Sequence, residues 1–285
     1  MKREAPTRIK GRVGATVVGF ASTALIVLTL SFGLPSSAAA ATCTHKVVAA
    51  GDLTPPKSDI NATGELAQRL NPDSAVLLGD LQYPTGTLSA FRKGFGQSSW
   101  MALSNRLFTV PGNHEYRDPG AAGYYAFFDG VAPYYITNLD CGWRLYALNS
   151  EISLSPQVAA VTKDLAKYPT AKVLVAWHRP RYSSGEHGNQ PAMQKLMDAF
   201  AGRAGVALAG HDHHYERFAL VGDVRPFVVG TGGSSGGGVT NVLSRSQFFL
   251  TGVPGVLSLT LSDQQVDWSF IDTSQVVRDR GTDSL

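Results

Sequence analysis

Five short apolar runs along the chain each break off into a polar cluster: "KVVAAGD" (46–52), "SAVLLGD" (74–80), "RLFTVPGNHE" (106–115), "KVLVAWHRP" (172–180) and "GVALAGHDHH" (205–214). Apolar runs of this length without alternation predict strands buried on both faces. Between them "GELAQRL", "SPQVAAVTKDLAKY" and "PAMQKLMDAFAG" space their apolar residues near 3.6, which predicts helices, with Ser155 as an N-cap and Pro156 at the first helical position. From Phe248 to Ile271 apolar and polar residues alternate, which predicts antiparallel strands. The expected architecture is a layered α/β domain of two packed sheets flanked by helices. In open α/β sheets ligands bind off the carboxyl ends of the strands, so the five polar clusters are expected to converge.

The first 41 residues follow another pattern. Lys2, Arg3, Arg8, Lys10 and Arg12 precede an uncharged run from Val13 to Leu34, and "SSAAAA" closes it at 36–41. A basic start, an apolar run and a small-residue end read as a secretory signal peptide cut near Ala41, leaving a single domain over 42–285 and a secreted protein. Left uncut, the 22-residue run is long enough to span a bilayer, the one membrane association the sequence suggests.

Charge looks different once that segment is set aside. The full chain carries 25 Lys and Arg against 22 Asp and Glu; removing five and one leaves 20 against 21, a net of −1. Nothing in that balance suggests a nucleic-acid surface. Two cysteines remain, Cys43 and Cys141, and in an exported protein they are expected to pair.

The residues expected to converge are Asp52, Asp80, Tyr83, Asn113, His114, His178, His211 and His213. Oxygen and imidazole donors with no thiolate suit Fe(III), Zn(II) or Mn(II). One carboxylate can bridge two metals, as in two-metal phosphoester hydrolases. Singly, each residue has a bland explanation: a turn after a strand, a loop, a hydrogen-bonded core histidine. Their joint occurrence at strand ends, in this order, has none.

The series "GDL", "GDLQY", "PGNHE", "VAWH" and "GHDHHYER" resembles the five metal-binding blocks of the calcineurin-like metallophosphoesterases, and specifically the purple acid phosphatases, over roughly 46 to 217. The subtype rests on two positions. The Asp-x-His of many superfamily members is absent, because Leu53 and Thr54 follow Asp52, and Tyr83 stands three residues after Asp80. Thr54 replaces the glycine usual in purple acid phosphatases.

The resemblance implies an α/β/β/α sandwich with two central mixed sheets, and two metal ions as cofactors. Asp52, Tyr83 and His213 would hold Fe(III), and Asn113, His178 and His211 a divalent Zn, Mn or Fe, with Asp80 shared. His114 would contact the phosphate of a small phosphate ester and deliver a proton to its leaving oxygen. His187 matches one of two adjacent histidines of plant members, the other position being Gly188, and is a second candidate proton donor. His214 is expected to be structural, and Asp212 is given no metal role.

The implied activity is that of a secreted acid phosphomonoesterase using metal-bound hydroxide. A phosphodiesterase or nucleotide hydrolase on the same dimetal site is the alternative, and a non-catalytic exported binding protein is the third reading. The resemblance also implies the compact form, without the extra N-terminal β-domain of larger plant enzymes. "GTGGSSGGG" (230–238) lacks the Lys and spacing of a phosphate-binding P-loop and reads as a flexible rim loop. Tyr124, Tyr125, Phe127, Phe128, Tyr134 and Tyr135 read as packing rather than a substrate wall.

Overall fold

The computed structural model describes residues 43–54, 58–233 and 236–285, so the expected leader lies outside the described residues. Thirteen strands are found there. β1 (Thr44–Ala50), β2 (Ser74–Leu77) and β3 (Leu107–Thr109) lie parallel to one another. β4 (Tyr135–Asn138), β5 (Trp143–Ala147), β6 (Lys172–Ala176), β7 (Gly205–Ala209), β8 (Tyr215–Phe218), β9 (Val224–Val229) and β10 (Ser246–Leu250) follow, and β11 (Gly255–Ser262), β12 (Gln265–Asp272) and β13 (Val277–Ser284) complete the set.

They form two mixed sheets. One has six strands in the order β13-β12-β11-β1-β2-β3, and the other has seven, β10-β8-β9-β7-β6-β5-β4. Within the second, β5, β6, β7 and β9 run parallel, while β4, β8 and β10 pair antiparallel. The helices are α1 (Ile60–Leu70), α2 (Leu88–Lys93), α3 (Ala122–Phe127), α4 (Ser155–Lys167) and α5 (Gln194–Ala199).

The layering follows from the two-residue period of strands. Val47 and Ala49 of β1 face the other sheet, joining Leu145, Leu174, Val206 and Phe227 in the central core. Val48 and Ala50 face the opposite way, against Leu66 of α1, Phe91 of α2 and Tyr124 of α3. The second sheet is covered likewise, with Val173 and Val175 against Val161 of α4 and Leu196 of α5. Each fully buried large aliphatic or aromatic contributes about 1.5–3 kcal/mol. The architecture is the α/β/β/α sandwich that the sequence implied.

The elements differ from the sequence reading at their ends. Helix α1 begins at Ile60, four residues before "GELAQRL". Ser155 lies inside α4 rather than capping it: Leu154 is the cap residue and makes no side-chain cap bond. Gln157, in the first turn, instead ties the helix to the preceding loop, accepting from Asn149 N at 2.8 Å and donating to Ser153 O at 3.0 Å. "PAMQKLMDAFAG" divides into a 3₁₀ turn, Pro191–Met193, and the short α5. The expected antiparallel strands are β10 to β12, with β13 added beyond them.

Several of the aromatics pack: Phe91 stacks on Phe127 with centroids 5.1 Å apart, Phe128 closes on both, and Tyr124 packs on Phe91 and Phe128. Among the described residues no helix is long and apolar enough to cross a membrane.

Cys43 and Cys141 are joined in a disulfide that closes a sequence separation of 98 residues. Beside it, His45 bridges Asp140 Oδ2 and Ser74 Oγ, each at 2.9 Å. A loop of that length gives the cross-link an entropic contribution of about 4–5 kcal/mol. Cys43→Ser is therefore expected to lower the thermal midpoint by roughly 10 °C. Calorimetry with a thiol titration checks this, and an unchanged midpoint with no new thiol would show that the pair does not form.

Candidate metal centre

All five clusters lie just past strand ends at one rim of the sandwich. Asp52 follows β1, Asp80 and Tyr83 follow β2, and Asn113 and His114 follow β3. His178 follows β6, and His211 and His213 follow β7. Three of these residues leave the strand by a left-handed turn: Asp52 has φ 60°, Asp80 φ 50° and His211 φ 74°. L side chains seldom adopt this region, which bends the chain so that each of the three side chains turns into the rim. Gly79 also has a positive φ, 83°, and a Cβ there would lie 2.7 Å from His178 Nδ1.

Two groups of donors result, sharing Asp80. In one, Tyr83 Oη lies 3.0 Å from Asp52 Oδ1, 3.1 Å from Asp80 Oδ2 and 3.1 Å from His213 Nε2. In the other, His178 Nε2 lies 3.4 Å from Asp80 Oδ2, 3.2 Å from Asn113 Oδ1 and 3.2 Å from His211 Nδ1. Ligand atoms of Asp80, His178 and His211 all fall within 4.8 Å of one another. All seven residues proposed from sequence as metal ligands are thus brought together.

The surrounding bonds aim these atoms. His178 Nδ1 donates to the Leu78 carbonyl at 2.8 Å, which turns Nε2 toward the cluster. Asp52 Oδ2 accepts from His211 N at 2.9 Å and Asp80 Oδ1 from His114 N at 2.7 Å, so Asp52 Oδ1 and Asp80 Oδ2 point inward.

Glu115, wholly buried, was quoted in "PGNHE" but given no role by sequence. It accepts four backbone N–H bonds, Asp80 and Gly112 at Oε2 and Leu81 and Gln82 at Oε1, at 2.7 to 3.1 Å. It fastens the turn after β2 to the turn after β3. Burial and the Asp80 carboxylate push the Glu115 carboxyl up to about 8, and the N–H donors pull against them.

The charges are crowded and call for a cation. Burial pushes the Tyr83 phenol far above its usual range, and the Asp52 and Asp80 carboxylates push it further. Burial would lower the His178 imidazole, but Asp80 outweighs it and holds the group up at about 10. Burial raises the Asp80 carboxyl, yet His178 and His114 hold it well below the usual carboxylate range. His211 goes the other way, lowered to about 2 by burial and by His178, His187 and Arg179. Two carboxylates around a phenol, and imidazoles pressed together, form a donor set that two hard or borderline cations fit.

The two proton-donor candidates stand at the edge of this group. His114 places its ring 4.0 Å from that of Tyr83, donates through Nδ1 to Pro84 O at 2.9 Å, and has Nε2 3.9 Å from Asp80 Oδ2. His187 packs its ring 4.3 Å from that of His211, its side chain 51% exposed, and bonds through Nδ1 to Asp212 Oδ1 at 3.0 Å. Asp212, given no metal role, therefore anchors His187, while its other oxygen accepts from Ser183 Oγ.

His214 is fully buried on Glu216, at 2.9 Å. It is placed there by a loop and not by a strand: β7 ends at Ala209, and residues 210–214 form a tight loop with N–H bonds from Asp212 to Gly210 O and from His214 to Asp212 O. The first part of the glycine stretch departs from its reading too, while Gly236 to Gly238 are exposed or half-buried. Gly230 to Gly233 are buried, Gly232 N bonds Gly51 O, and a Cβ at Gly230 would lie 2.8 Å from Asp52 Oδ2. These glycines let one chain press against the back of Asp52, which a mobile rim loop would not do.

Residues 42–215 match the calcineurin-like phosphoesterase family, and the chain belongs to that family, whose members use two metal ions. A purple acid phosphatase from yellow lupin (Lupinus luteus) seeds superposes with a TM-score of 0.72 at 21% identity, over 85% of this chain and 54% of its own, so the chain spans about half the length of the lupin enzyme. GAP50, the anchor in the inner membrane complex of Plasmodium, gives 0.66 at 16% over 86% of this chain and 90% of its own. A dimetal phosphatase from Danio rerio gives 0.59 at 11% over 84% and 98%. No curated protein matches the chain in sequence.

Proposed function

We propose that the protein is an exported acid phosphomonoesterase of the purple type. Asp52, Tyr83 and His213 hold Fe(III), Asn113, His178 and His211 hold a divalent ion, and Asp80 serves both. The observation that carries this is Tyr83: its hydroxyl sits within 3.1 Å of Asp52, Asp80 and His213, where burial and two carboxylates oppose ionisation unless a strong cation is present.

When bound, the two ions supply Lewis acidity that activates a water and offsets the charge of the phosphoryl group. The chain supplies the rest. His114, its Nδ1 tied to Pro84 O, presents Nε2 toward the phosphate and the leaving oxygen. The opening lies on that side, since the side chains of His114 and His213 are 14% and 26% exposed while those of Asp52 and His178 are closed off. His187, oriented by Asp212, is the second proton donor. Export is supported by the leader pattern and the Cys43–Cys141 disulfide, a linkage that persists in oxidising compartments.

Visible absorption of the iron-loaded protein tests this reading. A tyrosinate–Fe(III) charge-transfer band is expected, and it should vanish in Tyr83→Phe. A colourless protein that holds its metals and still hydrolyses phosphate esters would remove Tyr83 as an iron ligand and leave the phosphoesterase. Rates on a monoester and a diester of the same phenol, measured side by side, separate the proposed activity from phosphodiester hydrolysis.

A further inference from the structure

Arg179 follows His178 directly, and the reading above gives it no task. Its backbone N donates to Ser150 Oγ at 3.1 Å and its Nε to Glu151 Oε1 at 2.8 Å. The Arg179 side chain is 29% exposed, and that of its anchor Glu151 only 9%. From there Nη1 reaches His211 Nε2 at 3.1 Å. A cation is thereby held at the edge of the divalent half of the site, on the His211 ring against which His187 also packs.

Arginine has donors alone. Arg179 is gripped at Nε by Glu151, which leaves the far end of its fork to turn toward an acceptor at the metal site.

We propose that Arg179, held through Nε by Glu151 at the edge of the site, binds a non-bridging phosphoryl oxygen of the substrate with its Nη end. This rests on the two-metal phosphoesterase reading. The guanidinium fork suits the acceptor, and a charge-assisted bond to phosphate is among the stronger ones available to a side chain.

The test uses inorganic phosphate as probe on the metal-loaded wild type, Arg179→Ala and Arg179→Lys, with metal content measured on each. The expected result is unchanged metal content, a phosphate Kd weaker by about 10- to 100-fold in Arg179→Ala, and partial recovery in Arg179→Lys. KM for a monoester should rise in parallel, with kcat falling less. A variant that binds phosphate as tightly as wild type, in a wild type that loads two metals and hydrolyses esters, overturns this inference alone. Loss of metal from Arg179→Ala with an unchanged phosphate Kd in the loaded fraction makes Arg179 a positioning residue for His211 and also overturns it. A wild type that takes up no metal pair removes both this inference and the function it rests on.

Discussion

Asp80→Ala should lose both metals and, with them, monoester turnover. Asp80 Oδ2 stands 3.1 Å from Tyr83 Oη in one half of the site and 3.4 Å from His178 Nε2 in the other, so its removal takes a ligand from each half. Its second oxygen holds His114 N at 2.7 Å, so the turn that carries His114 loosens too. A metal acting as Lewis acid is worth several kcal/mol of transition-state stabilisation and each 1.36 kcal/mol is tenfold, so the rate should fall on the order of 10⁴-fold or more. Initial rates with metal analysis by mass spectrometry check it. Retention of two metals, or a loss below tenfold, would mean that Asp80 is not the shared ligand. Asp80→Asn is the companion variant, since it keeps the shape and the bond to His114 N while removing the charge.

Glu115→Ala should affect folding more than any other single change near the site. Its carboxylate is the acceptor for four backbone N–H groups, and alanine would leave all four buried without a partner. At about 1–3 kcal/mol for each stranded donor, offset where water enters, the expected loss is on the order of 5 kcal/mol. That is more than 10 °C in thermal midpoint for a chain of this size. Glu115→Gln should recover only part, because its amide nitrogen would face two of the same donors. Denaturant unfolding of the two variants decides the matter, and a shift below 1 kcal/mol in Glu115→Ala would show that those N–H groups find other partners.

Five of the parallel strands, and the residues gathered at their ends, were legible because both obey local rules. A strand buried on two faces is an apolar run, and a residue that must reach a ligand stands where the run stops. β13 obeys no such rule. Its sequence, VRDRGTDS, has no apolar face, because the positions turned toward the other sheet are Asp279 and Asp283, paired with Arg217 of β8 and Arg225 of β9. Pro226 hid β9 in a similar way. It lies just past the end of the β8 ladder, which pairs Phe227 to Val229, so its missing N–H is tolerated there. Glu115, Arg179 and Asp212 were out of reach for a third reason. Each acts on a neighbour through bonds set by the fold, and no spacing in the chain announces a carboxylate that collects four N–H groups from two separate turns.

The left-handed turns at Asp52, Asp80 and His211 bear on how the chain would drift if selection were relaxed. Holding an L side chain in that region costs about 1 kcal/mol or more, a burden glycine does not carry. A lineage that had given up the chemistry and kept the scaffold could relieve that cost by replacing these three residues, losing only the bonds that Asp52 and Asp80 accept from His211 N and His114 N. Their presence together, on backbone that disfavours them, is what a chain under selection for a working site looks like, and it weighs against a descendant that only binds.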